Sequence, residues 1–195
     1  IELLCSADES RIKVPEEARK HLKYLVADEN PRAKTLAGLI ARLEGHFETA
    51  YSRLSSPTPG SDGVIRNLAL GAMFEDVQGP EKNRSRSRLK AFQFYQNAAN
   101  AESVEALTRL GLLCERGLSG VGDLSQALRF HRLAAERGSL ESNFRIGVLL
   151  SEVDTSAPVL PEAHARLSIS AAKGDETAKE KLAQLEMKLS KEQRI

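Results

Sequence analysis

The chain has 195 residues, of which 41% are apolar and 28% are charged, and its formal net charge is +1. This length suffices for one domain with a continuous core. The near-balanced charge gives no reason to expect nucleic acid or a membrane as a partner, and no apolar run approaches the roughly 18 residues that a membrane-spanning helix needs.

The first half of the chain is predicted to be helical after a short tail. Residues 1–14 form the tail, which lacks the charged and apolar regions of a signal peptide. Pro15 suits the first turn of a helix that runs to Ala27, and Pro31 suits the start of a second helix that Gly45 ends. A loop is expected at 55–62. The helices that follow are expected at about 46–54, 62–76, 88–100, 102–116, 123–137, 139–152, 160–173 and 175–189.

The last predicted helix alternates Leu182, Leu185 and Leu189 with lysine and glutamate. The exposed end of a stack of helices needs a polar outer face of this kind. We therefore expect residues 179–195 to form a C-terminal capping helix and a tail.

The segment Ala106–Ser142 organises the rest of the chain. It is predicted to form two helices joined by a glycine-rich turn, and Gly138 ends the second helix. Leu110 and Gly111 lie in the middle of the first helix, where the missing side chain would let a partner helix approach closely. Because one short helical hairpin cannot bury both of its faces, the segment is expected to be one unit of a stack.

Weaker copies of this segment lie on both sides of it. A shift of 36 residues places Gly147 on Gly111, and upstream copies contain Gly38 and Gly71 at the same place. The distance from this glycine to the matching alanine of the second helix is 12, 20, 16 and 16 residues in the four copies. Insertions are therefore expected in the turns and not in the helices.

The central copy resembles the Sel1-like repeat, a relative of the tetratricopeptide repeat. The positions that carry the resemblance are Ala106, Leu110, Gly111, Gly117, Gly120, Val121, Asp123, Ala127, Phe130, Ala134, Ala135 and Gly138. Cys114 departs from the pattern, because an aromatic residue is usual there. The resemblance implies an all-α fold, a right-handed α-solenoid of antiparallel helix pairs. Residues 15–178 would then form one domain, which consists of an N-terminal half repeat and about four full repeats.

The turn between Gly117 and Asp123 has two possible interpretations. Its glycines precede a helix, so they could cradle a phosphate, but no strand precedes the turn and no Lys-Ser/Thr pair follows it. The favoured interpretation is a repeat turn in which Asp123 caps the helix.

A cluster of positive charge follows the helix predicted at 62–76. Five cations lie within nine residues and form a possible electrostatic rim, namely Lys82, Arg84, Arg86, Arg88 and Lys90. They could contact phosphates, a membrane surface or an acidic protein patch. The segment carries no interleaved aromatic residues, so a solvated turn is the favoured interpretation.

Catalytic and metal sites are not predicted. The four histidines are His21, His46, His131 and His164, and none has a second ligand three or four residues away. We expect His131 and His164 to pack at helix interfaces. No serine stands in a recognisable arrangement with a histidine and a carboxylate, so the sequence predicts no enzyme and no cofactor.

The resemblance also points to a partner-binding surface. In such stacks the first helix of each pair lines the concave groove, and positions beside the framework Leu-Gly face it. By that resemblance the partner-binding residues would be Arg42, Glu75, Thr108, Leu112, Glu115, Phe144, Val148 and Glu152.

This mixture of charged and apolar residues suits a polypeptide ligand. We therefore expect a bacterial adaptor or scaffold, in the periplasm or the cytoplasm, whose groove holds another protein or peptide. The alternative is an immunity or inhibitor protein that neutralises a secretion-system toxin or enzyme, because families with this repeat include such members.

Overall fold

The structure is a computed structural model that describes residues 16–27, 30–56, 62–75, 84–117, 123–152 and 159–192. Within these ranges the regular elements are all α-helices. The chain divides into two compact units, residues 1–103 and residues 104–195, which are described in turn.

In its described residues, the first unit contains one helix followed by two helix pairs. The pairs are α2 with α3 and α4 with α5. The helices are α1 (Glu16–Ala27), α2 (Pro31–Leu43), α3 (Phe47–Ser55), α4 (Asp62–Glu75) and α5 (Arg84–Ala99).

Local sequence signals set the ends of α2. The Asn30 side chain accepts hydrogen bonds from the backbone N–H groups of Arg32, at 3.0 Å, and Ala33, at 3.2 Å, so it caps the helix that Pro31 begins. Gly45 has a φ of +77°, a conformation that glycine adopts without steric cost, and it ends the helix as predicted.

The start of α5 differs from the prediction. The helix begins at Arg84, four residues before the predicted 88, because the segment contains no glycine or proline and arginine is a good helix former. Ser87 is buried, and its hydroxyl donates to the carbonyl oxygen of Phe74, which joins the first turns of α5 to the end of α4. The basic segment from Arg84 to Lys90 is therefore helical and not a turn.

The part of the second unit that the structure describes contains two helix pairs followed by one helix. The pairs are α6 with α7 and α8 with α9, and α10 packs against α9. The helices are α6 (Val104–Arg116), α7 (Leu124–Glu136), α8 (Leu140–Glu152), α9 (Leu160–Ala172) and α10 (Glu176–Glu192).

The predicted cap of α7 is confirmed. The Asp123 carboxylate accepts hydrogen bonds from the Gln126 N–H, at 3.0 Å, and the Ser125 hydroxyl, at 2.7 Å. Both bonds favour the ionised form and lower the pKa of Asp123 below its usual value. The remaining residues of the turn, 118–122, lie outside the described residues. At the other end of α7, Gly138 has a φ of +92° and stops the helix as predicted.

Each helix pair is held by the same close contact. A mid-helix glycine on the first helix faces one fully buried side chain of the second helix, and the exposed fraction of that side chain is 0% or 1%. A Cβ atom on Gly111 would lie 2.5 Å from Nε2 of His131, and one on Gly147 would lie 2.6 Å from Cγ of Leu167. We call this contact the glycine seat. The four seats are Gly38–Leu54, Gly71–Tyr95, Gly111–His131 and Gly147–Leu167.

The capping helix has the expected amphipathic character. On α10, Ala178 and Leu185 are buried, whereas Glu180, Glu186 and Lys188 are exposed. The buried leucine joins a core cluster with α8 and α9 residues that include Ile146 and Leu167. The helix thus covers one apolar side of the last pair and presents charge outward.

Replacing a seat glycine by alanine is expected to destabilise the protein. The variants Gly111→Ala and Gly147→Ala should lower the free energy of unfolding by about 1–3 kcal/mol, because overpacking exceeds the ~0.5–1 kcal/mol that alanine gains in a helix. Urea unfolding measures the change. Gly63→Ala is the control: an added Cβ there meets nothing within 4 Å, so stability should stay or rise. Equal changes in all three variants would contradict the role of the seat.

Candidate functional site

The predicted partner-binding residues of the first unit lie on first helices. Arg42, on α2, is half-buried. Glu75, on α4, is also half-buried, and its Oε2 accepts a hydrogen bond of 2.9 Å from the Tyr95 hydroxyl. Because Tyr95 fills the seat of Gly71, this carboxylate is fixed by the same residue that fixes the helix pair.

The six predicted residues of the second unit differ in exposure and separate into three groups. Thr108 and Leu112 are buried, with 6% and 5% of their surface exposed, so they do not line an open surface in this structure. Phe144 and Val148 are half-buried and pack against the core of the unit, whereas Glu152 is exposed at the end of α8. The sixth residue, Glu115, is largely buried and belongs to the polar network described below.

The predicted basic rim is only partly described. Lys82 lies outside the described residues, and Arg84 is the first residue of α5. Arg86 is exposed and Arg88 is half-buried. The ammonium group of Lys90 lies 4.9 Å from the ring centroid of Phe74, within the range of a cation–π contact. This lysine therefore already interacts with an aromatic ring that comes from another helix.

A polar network occupies the third glycine seat. His131 is fully buried, and its Nε2 lies 2.7 Å from Oε1 of Glu115. Since an ionised carboxylate can only accept, Nε2 carries the proton. The Nδ1 atom lies 3.2 Å from the Ser142 hydroxyl, which in turn lies 3.0 Å from the Thr108 hydroxyl. The network ties α6, α7 and α8 together.

The structure thus brings together a serine, a histidine and a carboxylate, an arrangement that sequence analysis missed. The three side chains come from three different helices, namely Glu115 on α6, His131 on α7 and Ser142 on α8. Their spacing along the chain therefore does not indicate that they meet. One signal was present: the shift of 36 residues aligns His131 with Leu167, an apolar residue. A polar residue at an apolar framework position indicates a buried polar network.

The geometry of this network does not suit nucleophilic catalysis. A serine nucleophile needs a hydroxyl that substrate can reach. Ser142 and His131 both have 0% of their surface exposed, and the Ser142 hydroxyl is occupied by Thr108 as well as by His131. The arrangement instead forms a buried chain of hydrogen bonds that holds α8 in position.

Arg145 completes the network on the α8 side. Its Nη1 lies 3.5 Å from Oε2 of Glu115, so the two carboxylate oxygens face different helices. The Nε atom of Arg145 is buried, and no hydrogen-bond acceptor reaches it among the described residues. Glu115 is therefore held by an imidazole on one side and a guanidinium on the other.

The other histidines do not form a metal site in the described part of the chain. There, no three His, Cys, Asp or Glu side chains converge as metal ligands. His164, on α9, contacts Glu186 of α10, with 3.0 Å between Nε2 and Oε1, so it lies at a helix interface as expected. Across the described ranges, no helix has the length and apolar character that crossing a membrane requires.

Cys114 is a buried free thiol, with 2% of its surface exposed. Burial, and to a lesser degree the negative charge of Asp123, raise the pKa of the Cys114 thiol from 9.0 to about 11. A thiol that stays protonated is a poor nucleophile and a poor metal ligand. Its small side chain instead contributes to the core of α6.

Comparison with solved structures identifies the fold. The chain is similar to c5321, a protective antigen of uropathogenic Escherichia coli strains that displays an SLR fold. The TM-score is 0.67 at 20% identity, over 88% of this chain and 37% of that one. It is also similar to a Sel1 repeat protein from Oxalobacter formigenes, with a TM-score of 0.59 at 23% identity, over 74% of this chain and 57% of that one.

These likenesses confirm the all-α class and the Sel1-like repeat fold that the sequence predicted. The chain spans less than two thirds of the length of either protein. Comparisons with models of known protein families and with curated protein sequences gave no match.

The hydrogen bonds of His131 are expected to stabilise the fold in addition to the packing of its ring. His131→Leu should lower the free energy of unfolding by about 1–3 kcal/mol, although leucine fills two other seats, because Glu115 and Ser142 lose partners in a buried site. Chemical denaturation measures this loss.

The double variant His131→Leu with Glu115→Leu provides the control. It removes both members of the shortest contact, so it should recover part of the stability that the single change loses. If the two substitutions were simply additive, the proposed coupling between these side chains would be wrong.

The buried thiol is expected to resist alkylation in the folded protein. Cys5, the other cysteine of the chain, is replaced by serine so that only Cys114 can react. Only the thiolate reacts with iodoacetamide, and the pKa of Cys114 rises from 9.0 to about 11 in the folded protein. Labelling at pH 8 should therefore be at least about a hundredfold slower than in the urea-unfolded chain. Mass spectrometry follows the reaction. Similar rates in both states would show that the thiol is accessible.

Proposed function

We propose that this chain, which has the Sel1-like repeat fold, is a protein-interaction module that acts as a non-enzymatic adaptor or scaffold. The likeness to repeat proteins of the same fold supports this proposal, because stacked repeats of this kind expose extended surfaces that suit protein partners. The partner would be another protein or a peptide, bound on the first helices of the pairs.

The observation that carries the proposal is the surface of α8. Phe144 and Val148 are one helical turn apart and half-buried, and Glu152 continues the same face as an exposed carboxylate. Apolar side chains of this kind anchor a partner, and a charge at the edge orients it. The half-buried Arg145 follows Phe144 along the helix, and its charge is paired with Glu115.

The network behind this surface supports it mechanically. Thr108 bonds Ser142 on the buried side of α8, and Glu115 pairs with Arg145. We assign Thr108 and Glu115 a positioning role and Leu112 a role in core packing, and we keep Phe144, Val148 and Glu152 as partner contacts. In the first unit, Arg42 and Glu75 stay proposed contacts.

The surface of α8 is tested by a matched pair of charge reversals. Glu152→Lys and Glu136→Lys change the same exposed residue type at the last position of a helix, α8 and α7 respectively. We expect Glu152→Lys to weaken partner binding by about tenfold and Glu136→Lys to leave it unchanged, because only the former reverses a charge on the proposed contact face.

Affinity capture followed by mass spectrometry identifies the partner, and titration of that partner measures the ratio. If Arg86→Glu weakened partner binding and Glu152→Lys did not, the interface would lie on the basic rim of α5. A toxic effector as partner would favour the inhibitor role, and an envelope or signalling complex would favour the scaffold. The module proposal fails if no protein is enriched.

A further inference from the structure

The first unit contains a cleft that the proposed partner surface does not use. It lies between α1, α2 and α3 and has a volume of about 320 Å³. Its lining comprises Arg19, Leu22, Lys23, Val26, Ala37, Ile40, Ala41, Glu44, His46, Thr49 and Arg53. The spacing of these residues follows one face of each helix, so three helical faces converge on the same space.

Two small side chains on α2 border this space. The residue before the seat glycine is Ala37 in the first pair, whereas the other pairs carry Leu70, Leu110 and Ile146 there. The residue three positions after the glycine is Ala41, whereas the other pairs carry a larger residue, Phe74, Cys114 and Leu150 respectively. Both positions are buried framework positions in all four pairs. The cleft therefore lies where this repeat carries smaller side chains than the other three repeats do.

The floor of the cleft is apolar. Ala37, Ile40 and Ala41 are buried on α2, and Leu22 and Val26 are half-buried on the facing side of α1. Apolar side chains on two facing helices can remove a small hydrocarbon group from water, which is the main source of affinity in ligand pockets.

The rim of the cleft carries excess positive charge. Arg19 forms an ion pair with Glu44, so this carboxylate is already neutralised. Lys23 has no hydrogen-bond or ion-pair partner anywhere in the described ranges. The Arg53 guanidinium donates a hydrogen bond of 3.4 Å to the Ala37 carbonyl oxygen, which leaves its charge uncompensated by a carboxylate among the described residues. A negatively charged group fits this rim, and a cation does not.

We propose that the cleft binds a small organic acid, with an apolar body on the α1–α2 floor and a carboxylate facing Lys23 and Arg53. The volume supports a small ligand, because about 320 Å³ lies at the lower end of the roughly 300–1,000 Å³ that is usual for ligand pockets. A helix from a partner protein would not fit this space. The proposal is independent of the partner surface on α8.

Titration calorimetry with three C8 probes tests the charge requirement. Octanoate should bind saturably at one site and about tenfold more tightly than octanol, and octyltrimethylammonium should not bind there. Absence of saturable octanoate binding, or equal affinities for the three probes, would overturn the proposal.

Two matched pairs of variants locate the site. Lys23→Glu should weaken octanoate binding at least about tenfold and leave octanol binding unchanged, whereas Lys20→Glu, on the same helix but outside the lining, should change neither. Thr49→Trp fills the cleft from an exposed position and should abolish binding of both probes. Ser52→Trp, exposed on the same helix and outside the lining, should not. If both members of either pair behaved alike, the site would lie elsewhere.

Amide chemical shifts of the unmodified protein give a result that does not depend on how the variants fold. Octanoate should shift the resonances of residues 19–53 and leave those of residues 104–192 unchanged. Shifts confined to the second unit would overturn the assignment.

Discussion

The close approach of two helices at a mid-helix glycine is the constraint on which the rest of the structure depends. In each of the four seats, a first helix offers a position without a side chain and a second helix fills it with one fully buried residue. Protein interiors are packed densely enough that a single methyl group cannot be added there without moving a neighbour. The seat therefore fixes both the rotation and the depth of each helix pair.

The residue in the seat also influences the surface of the first helix. Tyr95 and His131 carry a polar atom, and each holds the carboxylate four residues after the glycine, Glu75 or Glu115. Where the seat contains leucine, as at Leu167, that position carries Ser151 and no carboxylate. One buried residue thus couples the packing of a pair to the charge that its first helix presents. The repeats share a framework but differ in what they offer a partner.

Variation at framework positions has a second consequence in the first unit. Alanine at two positions that are filled by larger residues in the other pairs leaves space beside α1, and the side chains around that space carry positive charge. The second unit differs from the repeat pattern in another way. The seat of Gly111 holds His131, whereas two other seats hold leucine, and hydrogen bonds satisfy the ring nitrogens of His131. In both units, the residues that differ from the repeat pattern form a feature that helix stacking alone does not explain. This feature is the cleft in the first unit and the polar network in the second.

The sequence by itself determined the helices, their pairing, the seat glycines and the cap at Asp123, because these depend on short-range periodicity and on residue types with strong local preferences. It placed the start of α5 four residues late, because a dense run of positive charge favours a solvated turn and outweighed the good helix propensity of arginine. Only the tertiary structure decided that Thr108 and Leu112 are buried, that Glu115, His131 and Ser142 meet, and that Ala37 and Ala41 border a cleft. These contacts join side chains from separate helices. Their distances follow from how closely the helices pack, and spacing along the chain does not encode that.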